Sequence, residues 1–338
     1  MNVFEDAVTK PFALSIVVPV YNGAKSVGAL VDALAGLDVE GGHEIVLVND
    51  GSPDNSYEVC LELTRRTDVP VTLVNLARNF GEHNAVMAGL THARGAYVIT
   101  MDDDLQNPPE EVVRLFEHAR RNGRDVVYTY YAEKQHSLWR NLGSRFTNWC
   151  ADQLMDKPKG LYLSSFRCMS AFVVEQVIRH AGPYPYIDGL IMQVTRNIDR
   201  LLVKHLPRAE GRSNYTLRKL LRLWSAMFLN FSIMPLRISG LLGIGIGALG
   251  VLGFLVVLVE WMMGRTPEGY ASIASAILLL SGVQLVMLGL VGEYLGRLFL
   301  TVNRKPQFVV REVHPPAADA GWHPGGRQRG GRVDVAAQ

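Results

Sequence analysis

Met101-Asp102-Asp103-Asp104-Leu105-Gln106-Asn107-Pro108-Pro109-Glu110 follows directly on the apolar run Ala96-Tyr97-Val98-Ile99-Thr100. The run has the length and composition of a buried strand, and the Pro-Pro pair opens a helix near Glu110. Three carboxylates therefore stand at the carboxyl end of a strand, the edge at which open α/β sheets bind ligands. Asp102 and Asp104 are two residues apart. On an extended backbone they face the same way and can share a divalent cation with a diphosphate. A solvated acidic turn with helix-start acids is the plain alternative.

Upstream, the same alternation repeats. Leu14 to Val20 reads as a strand ending at Tyr21-Asn22-Gly23, and Val27, Leu30, Val31 and Leu34 then fall at helical spacing. His43 to Val48 is a second strand, ending in Asn49-Asp50-Gly51-Ser52, with a helix cap at Asp54 or Ser56. Val71 to Leu76 is a third, and Arg78-Asn79-Phe80-Gly81-Glu82-His83-Asn84 leads into a helix of small residues, Ala85 to Ala93. Four strand–helix pairs with short connections predict a mostly parallel sheet covered on both faces. Asp50, Arg78 and Asp102 to Asp104 then share one edge. A single nucleotide-sugar site explains all three clusters. No Gly-rich phosphate loop is present, so a metal held by the acidic triplet is the expected counter-charge for a diphosphate.

The end of the chain differs in kind. Ile238 to Val259 and Tyr270 to Gly292 carry no charge, and each is long enough as a helix to cross a hydrocarbon core of about 30 Å. No amino-terminal signal peptide is expected, because the first apolar run is short and strand-like. Arg218, Lys219, Arg222 and Arg237 precede the first span and Arg297, Arg304, Lys305 and Arg311 follow the second, whereas the loop between has only Arg265. The positive-inside rule thus places both termini in the cytoplasm. A net charge of +2 gives no global argument for nucleic acid, and none is expected as a partner. Three cysteines, Cys60, Cys150 and Cys168, without metal-type spacing fit a reducing compartment.

The segments Ser15 to Asn22, Val48 to Ser56, Ala77 to Leu90 and Met101 to Glu111, in this order, resemble the family 2 glycosyltransferases. Within them, the chain is similar to the polyprenyl-phosphate glycosyltransferases, the branch that includes dolichol-phosphate mannose synthase and bacterial undecaprenyl-phosphate sugar transferases. The likeness continues through Gly211 to Trp224, Phe231 to Arg237 and Gly289 to Phe308. It implies an α/β, A-type glycosyltransferase fold, Rossmann-like with a mostly parallel sheet, followed by two transmembrane helices. The corresponding domains are 1–215, cytoplasmic and catalytic; 216–237, a juxtamembrane amphipathic helix; 238–300, the two-helix membrane domain; and 301–338, a cytoplasmic tail disordered after about 312.

The resemblance also implies roles. Pro19, Tyr21, Asn22, Asp50, Arg78, Asp102 and Asp103 would bind the donor, with Asp50 at the base and Asp103 near the ribose or sugar. Asp102, Asp104 and Gln106 would hold Mg2+ or Mn2+. Asp104, Arg140 and Ser165 are the catalytic candidates. Lys134, Arg140, Arg208 and Arg212 would bind the acceptor phosphate, ordered by Ser213 and Tyr215.

Several positions depart from the family pattern. Asn49-Asp50 replaces an acidic pair, and Gly23 stands where Glu is frequent. Ser164-Ser165-Phe166-Arg167 replaces Gly-Asp-Phe-Arg, so Ser165 occupies the place of a proposed base. Asn214 and Tyr131 stand where basic residues are usual. Loss of a base is tolerable, because a phosphomonoester with a second ionisation at about 6 arrives as an anion. Its transfer needs orientation and charge stabilisation more than proton removal.

Leu138, Leu142, Phe146 and Trp149 form one apolar helical face, and Leu217, Leu220, Leu221, Trp224 and Phe228 another; both suit helices lying at a membrane surface. Asp188, before Gly189, either forms a turn, the simpler reading, or faces the sugar. Gly240, Gly243, Gly245, Gly247 and Gly250 permit close helix contact and a homo-oligomer.

The function expected is inverting transfer of one sugar from a nucleotide-diphosphate sugar to polyprenyl phosphate at the inner membrane, for cell-envelope glycans. A catalytically silent membrane scaffold or lipid-binding subunit is the alternative. A processive polysaccharide synthase is a further one, disfavoured by the lack of a Gln-x-x-Arg-Trp motif.

Overall fold

The computed structural model of the chain describes residues 10–131, 161–204, 206, 234–263, 269–303 and 305–316. These fall into two units, with 234–263, 269–303 and Lys305 in one and the remainder in the other.

Among the described residues, the larger unit is built on an eight-stranded sheet. Its strands are β1 (Phe12–Val20), β2 (His43–Asn49), β3 (Val71–Leu76), β4 (Gly95–Thr100), β5 (Val126–Tyr130), β6 (Arg167–Ser170), β7 (Ile198–Leu202) and β8 (Val310–His314). Their spatial order is β7-β5-β6-β4-β1-β2-β3-β8. Pairs β1–β2, β1–β4, β2–β3 and β5–β7 are parallel, whereas β6 and β8 run antiparallel to their neighbours. The sheet is thus mixed, with the expected parallel centre.

Alternation along the strands divides the core. Ile16, Val18, Val20, Ile45 and Leu47 face one apolar layer with Val27, Leu30, Val31 and Leu34 of α1 (Val27–Ala35), Cys60 and Leu63 of α2 (Ser56–Arg66), and Val112, Leu115 and Phe116 of α4 (Pro109–Arg121). Val17, Val46, Val48 and Val74 face the other, against α3 (Glu82–Leu90), α5 (Ala171–Val177) and α6 (Ile187–Val194). Both faces being covered, strands β2 and β3 are buried at every position, the polar residues among them included. Helix α4 starts as expected. Pro109 opens it, Glu110 and Glu111 occupy its first turn, and His118, Arg120 and Arg121 occupy its last, matching the helix dipole.

Strand order reverses between β1 and β4, since the chain runs outward through β2 and β3 and then returns to the other side of β1. This is the switch point at which an open sheet leaves a crevice. Pairing of β1 with β4 ends at Val17 opposite Thr100, so Pro19 has no β4 ladder bond to lose.

The start of the tail adds a strand to the sheet: Val310–His314 forms β8 and pairs with β3 from Leu73–His314 to Leu76–Val310. The Pro- and Gly-rich composition that suggests disorder begins only beyond this strand, and the exposed edge of β3 supplies unpaired backbone groups that a short polar segment can satisfy.

In the second unit, α7 (Met234–Met262) and α8 (Tyr270–Val302) cover both expected spans. By length and composition one stretch among the described residues, Leu280–Val302, can cross a membrane; Ser239–Gly253 is apolar but shorter. The amphipathic stretches around Leu138 and Leu217 lie outside the described residues.

Candidate active site

The crevice between β1 and β4 is lined by the loops that follow them. Tyr21 is half exposed, and Asn22 takes a left-handed backbone (φ 57°) that turns the chain away from the strand. The Asn22 amide donates to Ser52 Oγ at 3.3 Å and the Gly23 amide to Ser56 Oγ at 3.0 Å, tying this loop to the one after β2. The carboxyl of Asp103 lies against the α-carbon of Gly23, where a β-carbon would overlap it. Position 23 therefore has no room for a longer side chain while Asp103 keeps this place. Burial pushes the Cys60 thiol up to about 12, and the Asp103 charge adds to the rise.

Asp50 is 3% exposed and accepts the Phe80 amide at 2.7 Å and the Gly81 amide at 2.9 Å. Burial raises its pKa, while these two bonds and the Arg78 charge oppose the rise. Its visible work is thus to hold the loop carrying Arg78. Gly51 (φ 60°) lets the two loops touch, because a β-carbon there would overlap the Arg78 backbone. Arg78 is exposed, with its guanidinium 4.3 Å from the centre of the Phe80 ring.

At the acidic stretch the extended backbone assumed for Asp102 and Asp104 is not found. The chain bends at Asp103–Leu105, with Leu105 left-handed (φ 59°), and Asp104 Oδ1 accepts the Gln106 amide at 3.2 Å. This local turn, typical of Asp, replaces strand alternation as the source of their arrangement. Gln106 is bonded to Leu206 twice: its carbonyl accepts the Leu206 amide at 2.8 Å, and its Nε2 donates to the Leu206 carbonyl at 3.3 Å.

Ser165 is brought directly to this stretch. Its Oγ donates to Asp102 Oδ2 at 2.8 Å, and its carbonyl accepts Thr100 Oγ1 at 2.6 Å. A hydroxyl donating to a carboxylate orients it and is poorly placed to remove a proton. Tyr131 donates to Asn107 Oδ1 at 3.3 Å and meets Tyr162 edge-on, so it buttresses the same segment. Of the expected acceptor-phosphate set, Lys134, Arg140, Arg208, Arg212, Ser213 and Tyr215 all lie outside the described residues.

A polar cluster not anticipated from the sequence lies behind Ser165. Arg167 and Asp188 are 3% and 6% exposed and form an ion pair, and Tyr128 donates to Asp188 at 2.8 Å. Asp188 is therefore neither a turn residue nor a surface group. It sits in the first turn of α6, fixed by β5 and β6. His83 meets Tyr186 edge-on at 5.4 Å, and burial lowers its pKa. Glu82 reaches solvent, yet protein crowds its carboxyl and pushes it up to about 7; Asp102 adds to the rise, Arg167 opposes it and Asp188 adds again. Glu82 and Arg167 stand inside motifs whose spacing is visible in the sequence, but nothing local shows that they meet.

The folded value for Glu82 lies above the ordinary 4.5, so the fold favours the protonated form and stability is lost as pH rises from about 4.5 through about 7. Without metal or donor, Glu82→Gln is expected to lose less melting temperature than the wild type between pH 5 and 8. Parallel curves for the two proteins would show that this carboxyl titrates normally.

A hard divalent cation is held by one or two carboxylates together with substrate phosphates. Asp102 and Asp104, on one bend, are the carboxylates that could supply such a partial set. No group of three or more His, Cys, Asp or Glu side chains placed to hold a metal occurs among the described residues.

Comparison with known proteins gives the lineage. Residues 15–178 match the family described as Glycosyl transferase family 2, and residues 234–298 match the GtrB C-terminal hairpin. The undecaprenyl-phosphate 4-deoxy-4-formamido-L-arabinose transferases of Yersinia pestis (strain Pestoides F) and Yersinia pseudotuberculosis serotype O:3 (strain YPIII) are each 35% identical over 306 residues. The match covers 89% of this chain and 93% of each relative. Among solved structures, S. aureus TarS 1-349 with UDP-GlcNAc is 18% identical, covering 65% of this chain and 68% of that one, with a TM-score of 0.45. Mycobacterium tuberculosis glucosyl-3-phosphoglycerate synthase is 16% identical, covering 63% and 75%, with a TM-score of 0.48. The chain belongs to glycosyl transferase family 2, in its polyprenyl-phosphate glycosyltransferase branch, and is a glycosyltransferase.

Proposed function

We propose that this protein transfers one sugar, with inversion, from a nucleotide-diphosphate sugar to a polyprenyl phosphate, undecaprenyl phosphate being the first to test. The observation that carries the reading is the match to transferases named for that lipid acceptor, which spans the acidic site and the apolar helices together. The crevice chemistry agrees with it. Tyr21 offers an exposed ring beside the donor loop, and Asp50 holds the loop that presents Arg78.

A Mg2+ or Mn2+ ion on Asp102 and Asp104, with Gln106 completing its shell, would neutralise charge on the departing diphosphate. Ser165 keeps the Asp102 carboxylate in one orientation. The acceptor phosphate reaches the sugar already ionised, so the side chains position it and no base is required. Arg208 and Arg212 follow Leu206, the residue bonded to Gln106, and with Lys134, Arg140, Ser213 and Tyr215 they make the acceptor site of this reading.

Apolar side chains exposed along both helices, among them Leu241, Ile244, Leu249, Val286 and Leu288, support two spans in the inner membrane with both termini cytoplasmic. In the test, full-length protein in detergent receives Mg2+ or Mn2+, undecaprenyl phosphate and a panel of nucleotide sugars. Formation of a lipid-linked sugar with release of nucleoside diphosphate is expected. Donor hydrolysis without lipid product, or no reaction with any donor, would refute the reading.

A further inference from the structure

Asn49, Asn75 and Glu312 occupy successive rungs of three adjacent strands. Asn49 of β2 is in register with Asn75 of β3, and Asn75 is in register with Glu312 of β8. Side chains directly opposite each other share a face of the sheet, and these three are hydrogen-bonded in series. Asn75 Nδ2 donates to Glu312 Oε1 at 2.8 Å, and Asn49 Nδ2 donates to Asn75 Oδ1 at 2.9 Å. Asn49 Oδ1 then accepts the Ser52 amide at 3.3 Å. Ser52 in turn carries the loop after β1, with its Oγ donating to the Val20 carbonyl at 3.4 Å and accepting the Asn22 amide at 3.3 Å.

This series has a direction, set at one end. An ionised carboxylate only accepts, so Glu312 fixes the amide end of Asn75 toward itself and the oxygen end toward Asn49. Asn49 must then turn its own amide to Asn75, which leaves its oxygen for the Ser52 N–H. Asn49 and Asn75 are 3% and 8% exposed, so neither amide can exchange a wrong partner for bulk water. Strand β8 thus decides whether Ser52 meets an acceptor or a donor.

We propose that Asn49, Asn75 and Glu312 are positioning residues of the donor site: the polarity set by Glu312 passes through two buried amides and fixes the loop that bears Tyr21 and Asn22. The inference rests on the donor reading of that loop. It gives β8 a task beyond closing the sheet edge.

Two changes test it. Glu312→Lys puts a donor where the carboxylate accepts. Asn75 then turns its oxygen to the introduced ammonium and its amide to Asn49, and Asn49 turns its own amide toward the Ser52 N–H, donor against donor. Adding Asn49→Asp supplies a carboxylate that accepts from both Asn75 and Ser52, so each member of the series is paired again. Loss of the Glu312 contacts with Tyr57 and His314 is common to the single and double variants and cancels in the comparison.

Amide hydrogen exchange is measured at Asn22 and Ser52 in the ligand-free full chain in detergent. Binding of UDP and of GDP with Mn2+ is measured by calorimetry. Glu312→Lys should speed exchange at both amides and weaken the nucleotide that binds by about tenfold. Glu312→Lys with Asn49→Asp should return both readouts most of the way. If Asn49→Asp gives no recovery, or if Glu312→Lys alters only melting temperature and β8 protection, the series merely staples the sheet edge and the proposal fails. If neither nucleotide binds the wild type, the donor reading fails, and exchange at Asn22 and Ser52 alone decides whether the polarity relay exists.

Discussion

Asp104→Ala is expected to lower sugar transfer by about 10²- to 10³-fold while leaving the melting temperature within a few degrees of wild type. The asymmetry follows from where the residue sits. Asp104 lies in a solvent-accessible bend and accepts the Gln106 amide only two positions on, a local bond whose loss costs the fold little. The reaction loses much, because charge develops on a diphosphate and no Gly-rich loop stands ready to meet it. Asp102→Asn should be comparably damaging at saturating metal, since it retains the Ser165 bond but halves the anionic charge offered to a cation. The measurement is turnover with whichever donor is productive, over a Mn2+ titration. A metal requirement that moves to higher concentration supports the metal-side role, and activity within about threefold of wild type would remove Asp104 from the catalytic set.

Much of this site is readable in the sequence because strand ends announce themselves. The apolar runs before Tyr21, Asn49 and Asp102 each stop at polar residues, and alternation with helices sets all three stops at one edge. What stays hidden depends on pairing between distant segments. β8 holds two valines among charged residues, and its reason for being a strand is β3, whose Asn75 precedes Glu312 by 237 positions. Asp188 looks like a turn residue beside Gly189 because its partners, Tyr128 and Arg167, come from two distant strands while it sits on a helix. Ser165 illustrates a different limit. Its chain position marks it as near the chemistry, but only the 2.8 Å bond to Asp102 separates an orienting hydroxyl from a substitute base. The backbone of Asp103–Leu105 is a third kind of miss, since alternation along an extended strand does not carry past the residue at which the strand ends.

The buried pair carries the larger effect on stability. Arg167 begins β6 two residues after Ser165, and Asp188 lies in the first turn of α6, so their contact joins the end of the sheet to a helix of the Val17–Val74 layer. Asp188→Ala leaves a guanidinium that is 3% exposed without its ion-pair partner, and a pair broken in this way costs about 3–5 kcal/mol. Tyr128, itself fully buried, loses the acceptor of its hydroxyl at the same time. Replacing both partners by apolar side chains, Arg167→Met with Asp188→Leu, is expected to recover most of that loss, because the penalty lies in the unpaired charge. Hydrogen exchange of β6 and α6 against urea measures both. The two variants should then part in activity. The double variant regains stability but no longer holds the turn that carries Ser165 by a fixed ion pair, so Asp102 loses part of its orientation and turnover stays below wild type. Full recovery of turnover would show that the pair is only a fold element. Failure of the double variant to regain stability would show instead that the hydrogen bond from Tyr128, not the charge, is what the cluster requires.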